Sequence, residues 1–444
     1  MKALLILILL VSQTLRAQTR LNDYLQEGLS NNESIKQQQF LLEKSLYALN
    51  EAKSLFVPAV NFNTTYTLAG GGRTIDFPVG DLMNSAYKTL NQLTGSNSFP
   101  QIENKSILIN PNNFYDVKLH TVYPIINAER VYNQKIKTGQ VDLQKIEVSI
   151  YKRELAKEIK IAYYNYLQAH EEVKIYENAS KLVKENARIN IALFNNEKVN
   201  RTAVIRSNNE VTKISAQVNT ANQNVNNAKA YFNFLLNRPL DATIEIDTIK
   251  SIPSSGMVND SSVVKREELL KLHTAKSINK NVIALSNAYK KPALNSFLDL
   301  GSQSFDFKVN NKTSYYFFGL SLEWNIFSGG KNKNKVREAE ADQKSLDAQT
   351  IYVEQQLAMQ LKIASNSFAA AVVNYQAAVS QVQASERYYA DVLRLYKEGT
   401  MLFIELLDAQ NQLVSAQLQA NISLYDTWIK QSEIERANAG LIIK

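Results

Sequence analysis

The stretch Leu155–Tyr176, LAKEIKIAYYNYLQAHEEVKIY, has the most regular apolar pattern in the sequence. Its apolar and small residues recur in alternating steps of four and three, at Leu155, Ile159, Ala162, Tyr166, Ala169, Val173 and Tyr176. This alternation is the heptad seam of helices that pack side by side, as in coiled coils. The stretch therefore predicts a long helix that lies against neighbouring helices.

The same ladder returns 202 residues later, in residues 357–378, LAMQLKIASNSFAAAVVNYQAA. The matching positions are Leu357, Leu361, Ala364, Phe368, Ala371, Tyr375 and Ala378. The sequence therefore predicts an internal twofold repeat. We assign the first repeat to residues 18–237 and the second to residues 263–444, with a linker or equatorial segment at residues 238–262 between them.

Each repeat contains a predicted pair of long helices, at about residues 128–236 and 330–439. The first helix of each pair ends near residue 193 or 395, and at 1.5 Å per residue it would be roughly 95 Å long. Many seam positions are alanine, which permits a close approach but buries little surface per residue. A helix of this length cannot bury its seam alone, so the pattern predicts packing against further helices.

Each repeat also contains a predicted β-hairpin, at about residues 59–123 and 293–326, and the first has a long loop at about residues 69–113. One apolar face in the second hairpin is formed by Tyr316, Phe318, Leu320, Leu322, Trp324 and Ile326. Such strands are typical of outer-membrane barrels, although a soluble sheet with one buried face would give the same pattern. Four strands cannot close a barrel in lipid, so several chains must contribute, and three chains would supply twelve strands.

Residues 1–17 are predicted to be a secretory signal peptide, because Lys2 precedes an apolar run and a small residue, Ala17, ends the segment. No later stretch is apolar for long enough to be a transmembrane helix, so any membrane-inserted part would have to be built from β-strands. The absence of cysteine excludes disulfides and thiol catalysis. The formal charge of +8 is spread without a dense basic block, which argues against nucleic acid as a partner.

Catalytic chemistry has no recognisable pattern in the sequence. The three histidines, His120, His170 and His273, are scattered, and none stands at a spacing typical of metal ligands. No nucleophile occurs together with a base and an orienting group. We therefore predict no catalytic residues, no metal site and no cofactor, and thus a protein that is not an enzyme.

Four kinds of short motif mark the ends of the predicted helices and strands. They are Pro58-Ala59-Val60 with Pro292-Ala293-Leu294, Ile326-Phe327-Ser328-Gly329-Gly330, Tyr396-Lys397-Glu398-Gly399-Thr400, and Glu405-Leu406-Leu407-Asp408-Ala409. Together with the repeat, they resemble the TolC-like outer-membrane efflux proteins over essentially the whole chain after the signal peptide. The resemblance implies a mainly α fold with a small β part. A long coiled-coil-like α-helical barrel would join a transmembrane β-barrel with four strands per chain, closed as a homotrimer.

The resemblance also implies a function. The trimer would be an exit duct for efflux or type I secretion, located in the outer membrane of a Gram-negative bacterium and extending into the periplasm. Its partners would be a periplasmic adaptor, an inner-membrane pump and outer-membrane lipid. The alternative is a soluble periplasmic coiled-coil adaptor or scaffold, although an adaptor would have one helical hairpin where this chain has two equivalent ones.

The candidate functional residues lie where the long helices of each pair meet. The resemblance assigns contact with the adaptor to the turn tips, Asn195, Asn196, Glu197, Lys198, Lys397, Glu398, Gly399 and Thr400. It also assigns Glu405 and Asp408 to a carboxylate ring that gates the periplasmic mouth. From the residues alone, Thr400 would be the N-cap of the last helix, and the two acids would be solvated residues beyond its first turn.

Overall fold

The structure, a computed structural model, describes residues 19–247, 249–253 and 266–440. The predicted signal peptide and residues 248 and 254–262 of the predicted linker lie outside the described residues. The helices are α1 (Thr19–Asn31), α2 (Glu33–Ser54), α3 (Val79–Thr94), α4 (Ala128–Asn195), α5 (Arg201–Leu235), α6 (Glu267–Ser286), α7 (Lys331–Lys397) and α8 (Phe403–Ala437). The strands are β1 (Ala59–Thr67), β2 (Thr74–Phe77), β3 (Lys105–Leu108), β4 (Phe114–Ile126), β5 (Ala293–Phe305) and β6 (Ser314–Glu323).

The chain is mainly helical with a small sheet part, as the sequence predicts. The first helix of each long pair is α4, with 68 residues, or α7, with 67 residues. Both end close to the predicted positions, and the seam residues Leu155, Ile159, Leu357 and Leu361 are buried. None of the helices within the described ranges is both long enough and apolar enough to cross a membrane.

The fold comprises two compact units, each assembled from separated segments. Of the described residues, the larger unit takes those within Met1–Tyr47, Thr138–Lys280 and Glu340–Lys444, and the smaller unit takes those within Ala48–Lys137 and Asn281–Ala339. Each unit therefore draws on both predicted repeats. The core of the larger unit includes Tyr24, Tyr163 and Phe232, where the rings of Tyr24 and Phe232 meet edge to face with centroids 5.2 Å apart.

The smaller unit contains a four-stranded antiparallel sheet in the order β1-β4-β5-β6. One row across all four strands is formed by Phe62, Leu119, Leu300 and Tyr316. Strand β6 is shorter than predicted, because it ends at Glu323, which pairs with the first residue of β5. Trp324 and Ile326 therefore lie beyond the strand, where β5 offers no further partner.

The long loop predicted at about residues 69–113 contains secondary structure of its own. Strands β2 and β3 pair as a separate two-stranded antiparallel sheet, with Thr74 opposite Leu108. Helix α3 lies between them in sequence and ends at Gly95, which takes a left-handed φ of 61°. We call residues 68–113 the insertion, since they separate the paired strands β1 and β4.

Candidate functional site: the two helix turns

The first predicted tip is the turn between α4 and α5. The Lys198 N–H donates a hydrogen bond to the Leu193 carbonyl at 2.9 Å, and Glu197 takes a positive φ of 56°. Glycine is the usual residue in this conformation, because it has no Cβ. The next helix is capped by Asn200, whose side chain accepts a hydrogen bond from the Ala203 N–H at 3.2 Å.

The second tip, between α7 and α8, has the same backbone hydrogen bonds 202 residues later. The Thr400 N–H donates to the Leu395 carbonyl at 3.0 Å. Gly399 takes a φ of 80° in the position that is equivalent to Glu197. Both long helices therefore end in the same way, with one residue in the left-handed region that lets the chain reverse.

Thr400 is not the N-cap of α8, and this part of the sequence prediction is wrong. Its hydroxyl donates to the Leu395 carbonyl at 3.0 Å, so the side chain closes α7. The N-cap is Leu402, with φ −83° and ψ 153°. Leucine has no side-chain acceptor, but the Glu405 carboxylate accepts a hydrogen bond from the Leu402 N–H at 3.0 Å, which is half of a capping box.

The two predicted gate acids therefore occupy different environments. Glu405 is partly buried and lies in the first turn of α8, not beyond it as the sequence indicated. Asp408 is exposed and accepts a hydrogen bond from the Gln412 side-chain amide at 2.7 Å. The equivalent positions in α5 hold Ala203 and Arg206, so neither predicted gate acid has an acidic counterpart after the first turn.

The structure brings the two predicted tips together. All eight predicted tip residues are exposed. The turns line a common cleft of about 530 Å³, to which Lys198 and Asn200 contribute from the first turn and Gly399 and Met401 from the second. This places the tips in one surface that a partner protein could contact.

Sequence reasoning missed a buried polar set just behind the turns. The Asn186 amide nitrogen donates to the Gln410 side-chain oxygen at 2.6 Å and contacts the Tyr389 hydroxyl at 3.3 Å. The Tyr396 hydroxyl donates to the side-chain oxygen of Asn190. Asn190 is completely buried, and its amide nitrogen has no hydrogen-bond partner among the described residues. Asn190 falls on the 4-3 seam of α4 extended past Tyr176, and a polar residue on such a seam was the available signal.

Both tyrosines of this set are held in the neutral form. Burial raises the pKa of Tyr396, and it also raises the pKa of Tyr389, where the nearby Glu185 carboxylate acts in the same direction. The hydroxyls therefore remain hydrogen-bond donors to α4. In the part of the chain that the structure describes, no cluster of His, Asp and Glu side chains could hold a metal ion.

Comparison with known proteins shows which proteins this chain is similar to. Residues 271–437 match the family model described as outer membrane efflux protein. The chain is similar in structure to the outer-membrane channel OprN, with a TM-score of 0.77 and 15% identity over 95% of this chain and 90% of that chain. It is also similar to the CmeC outer membrane channel of Campylobacter jejuni, with a TM-score of 0.76 and 15% identity over 95% of this chain and 86% of that one. The outer membrane protein VceC of Vibrio cholerae gives a TM-score of 0.76 and 14% identity over 94% and 95% of the two chains.

No curated protein sequence matches this chain. The family match covers residues 271–437, and the solved structures share the fold over 94–95% of this chain; both comparisons are with outer-membrane channel proteins and not with enzymes. The resemblance to outer-membrane efflux proteins that the sequence predicts is confirmed, together with the predicted outer-membrane location. The coarse function that these similarities support is an outer-membrane duct for efflux.

Proposed function

We propose that this chain is one third of a homotrimeric exit duct that serves efflux or type I secretion across the outer membrane. In this proposal a periplasmic adaptor couples the duct to an inner-membrane pump, and the two helix turns of each chain form the periplasmic mouth. The observation that carries the proposal is the four-stranded sheet. It has an uncovered apolar face, a polar face and two edges that no described strand pairs with.

The apolar face is continuous from one edge of the sheet to the other. In the row Phe62, Leu119, Leu300 and Tyr316 the residues are 67%, 45%, 50% and 74% exposed, respectively. A soluble sheet would bury such a row under other parts of its own chain. A row left open to this extent supports contact with the hydrocarbon of a membrane.

The opposite face is polar and charged. The Lys118 Nζ lies 3.6 Å from a carboxylate oxygen of Asp116 and 3.6 Å from one of Asp299. His120 also contacts Asp299, and the Tyr315 hydroxyl donates to Asp116 at 2.5 Å. Charges of both signs that satisfy one another suit the wall of a water-filled lumen, and this supports a barrel with its polar face inside.

The free edges determine how chains would join. Strands β1 and β6 stand at opposite edges, and neighbouring strands in the sheet are antiparallel. With four alternating strands, β6 of one chain can pair antiparallel with β1 of the next, and three chains give twelve strands without an edge. Closure in this way requires no new strand direction or crossover.

The helical part supports the same stoichiometry. Four long helices, α4, α5, α7 and α8, would give twelve helices in three chains, and the matched turn hydrogen bonds support the 202-residue repeat. Helix α7 has four large apolar residues whose exposed fractions lie between 54% and 65%: Tyr352, Met359, Ile363 and Val373. Exposed apolar surface of this kind marks contact with another protein surface.

We further propose that Glu405 and Asp408 of the three chains form a six-carboxylate ring that gates the mouth. A ring of acids attracts cations, as in cation-selective channels. Glu405 also has a structural role, because its carboxylate accepts a hydrogen bond from the Leu402 N–H. Asp408, which is exposed and bonds only to Gln412 among the described residues, is therefore the cleaner probe of the ring.

The assembly is tested by extraction with mild detergent and measurement of the mass without heating. The expected species is a trimer in the membrane fraction that dissociates into single chains on boiling. A monomer in the aqueous periplasmic fraction would overturn the duct and would favour the soluble adaptor or scaffold instead. The interaction with an adaptor is tested separately, by crosslinking from a cysteine introduced at the exposed Lys198 or Lys397.

The gate is tested by single-channel recording in planar bilayers. Asp408→Asn should weaken cation preference and block by divalent cations, and Glu405→Gln should add to this effect while keeping an oxygen that can accept from Leu402. The matched control is Asp391→Asn, which removes an exposed acid of α7 that the proposed ring does not include. If the ring variants and the control give the same conductance and the same block, the two acids are surface residues and not a gate.

A further inference from the structure

Helix α3 of the insertion is attached to its own chain through polar side chains. The Asn84 side chain donates to the Ile102 carbonyl at 2.9 Å and accepts from the Ile102 N–H at 2.8 Å. Asn91 makes the same pair of bonds to Phe99, at 2.8 and 3.0 Å. A Cβ on Gly80 would lie 2.2 Å from the Ile102 carbonyl oxygen, so glycine is required for this approach. The face that α3 turns to its own chain is therefore largely one of amides.

The apolar side chains of α3 lie on a different face. They recur in steps of four, three, four and three, at Val79, Met83, Ala86, Leu90 and Leu93. All five are exposed, and Leu93 is 79% exposed. Leu82, which lies beside these residues, is 72% exposed. We call these five residues the α3 seam. The amphipathic pattern is thus inverted relative to an ordinary surface helix, which buries its apolar stripe against its own chain.

The third face of α3 carries Asp81, Ser85, Lys88 and Gln92, all exposed. Asp81 and Lys88 are the only charged residues of this helix, and neither belongs to the seam. An amphipathic helix that lies on a lipid surface usually has a polar face rich in lysine and arginine. Helix α3 has one lysine and one aspartate there, so its charge pattern favours a protein partner over a membrane surface.

We propose that the α3 seam binds the α3 seams of the two other copies of this chain, forming a parallel three-helix bundle at the mouth of the β-barrel. The proposal rests on the trimer of the proposed function. Steps of four and three are the pattern of helices that pack on other helices. Three copies of an uncharged seam can converge on a threefold axis without like-charge repulsion.

The position of the insertion in the sheet supports the same partner. The insertion leaves the sheet directly after β1, the edge strand that would pair with β6 of the neighbouring chain. Each α3 helix is thus connected to the sheet at the proposed β1–β6 junction between two chains. A seam of about two heptads is too short to associate by itself in water. The closed barrel would supply the high effective concentration that such a short bundle needs.

The absence of cysteine from the natural chain allows a clean crosslinking test. Ala86→Cys places one thiol at the centre of the α3 seam with a small change in volume. Lys88→Cys is the matched control, because position 88 lies on the same helix about 160° away from residue 86 at roughly 100° per residue. The detergent-extracted protein is oxidised mildly without heating, then boiled without reductant and separated by size.

Ala86→Cys should give a two-chain product, with at most two of the three chains of each trimer joined, and Lys88→Cys should remain single chains. The added substitution Leu90→Asp should lower the yield from Ala86→Cys by at least about fivefold, because it introduces a charge into a packed seam. Should Ala86→Cys accumulate poorly, Leu93→Cys probes the same seam at its C-terminal end.

The outcomes separate this inference from the function on which it rests. If the unheated protein is a trimer and neither seam cysteine crosslinks, the bundle is wrong and the exit duct stands. Equal yields from Ala86→Cys and Lys88→Cys, or a yield that Leu90→Asp leaves unchanged, would also overturn the bundle. An unheated monomer would remove the proposed trimer and the bundle with it.

Discussion

The two helix turns have one backbone geometry but different side chains. Residues 202 apart make equivalent hydrogen bonds in both turns. Most equivalent positions nevertheless differ, among them Phe194 and Tyr396, Glu197 and Gly399, Asn200 and Leu402, Ala203 and Glu405, and Arg206 and Asp408. The geometry of a helix end therefore does not depend on these particular residues, because backbone hydrogen bonds and one left-handed residue are sufficient to produce it.

The differences concern how each turn is attached to the rest of the larger unit. In the first turn Phe194 is 41% exposed, and the following helix is capped locally by Asn200. In the second turn Tyr396 is 3% exposed, packs with Leu406, and bonds to Asn190 of α4. Tyr396 of the second turn is thus fixed in the core, whereas the equivalent Phe194 of the first turn is exposed. This asymmetry can be tested by making the same change at equivalent positions.

The largest expected effect comes from truncating the equivalent aromatic residues. Tyr396→Ala should destabilise the protein by about 3–5 kcal/mol, because it opens a cavity in a core cluster, while Phe194→Ala should cost roughly 1 kcal/mol. Tyr396→Phe should fall between them at about 1–3 kcal/mol, because it removes the hydrogen bond to the buried Asn190. Guanidinium unfolding of the detergent-solubilised protein, followed by far-UV circular dichroism, measures all three. Equal costs for the two alanine variants would show that both turns are anchored alike.

An intermediate effect is expected from exchanging the left-handed residues. Gly399→Ala should cost about 1–2 kcal/mol, because a Cβ is strained at a φ of 80° although no atom lies close to it. Glu197→Gly should be neutral or stabilising by up to about 1 kcal/mol, since relief of that strain is partly offset by the greater freedom of glycine in the unfolded chain. The same unfolding experiment measures both. Changes of the same sign would contradict a shared backbone geometry.

Much of the fold could be predicted from the sequence, because its signals are periodic and long. The 4-3 ladder from Leu155 to Tyr176 indicates α4, and its second copy indicates α7. The strict alternation from Tyr316 to Leu322 indicates β6. The end of β6 could not be read in this way, because Trp324 continues the alternation although its partner strand stops at Ala293. Strand ends depend on pairing, and pairing is not encoded in one strand alone.

The insertion and the cap of α8 were harder to predict for local reasons. The surroundings of α3 are rich in glycine, asparagine and serine, which ordinarily indicate a loop, and here asparagines such as Asn84 bind the returning chain. Thr400 has the better N-cap side chain, but the helix begins after Leu402 because the hydroxyl of Thr400 bonds back to Leu395. In both cases a polar side chain had two possible backbone partners. Asn84 bonds to the returning chain, whereas Thr400 bonds back to the end of its own helix.

The smallest expected effect concerns the two N-caps. Asn200→Ala should cost about 1 kcal/mol, because the Ala203 N–H loses its side-chain acceptor. Leu402→Asn should instead stabilise α8 by about 0.5–1 kcal/mol, because an acceptor at this position would complete the capping box that Glu405 already half forms.

Guanidinium unfolding of the two variants, each compared with the parent chain, gives the sign of each change. If Leu402→Asn is destabilising, leucine is required at this position for packing, and the two turns differ in more than the quality of their caps. If it is stabilising, repeating Glu405→Gln in the Leu402→Asn variant separates the role of Glu405 in capping α8 from its charge in the proposed ring. The helix then has a second cap, so any remaining change in conductance reports the charge alone.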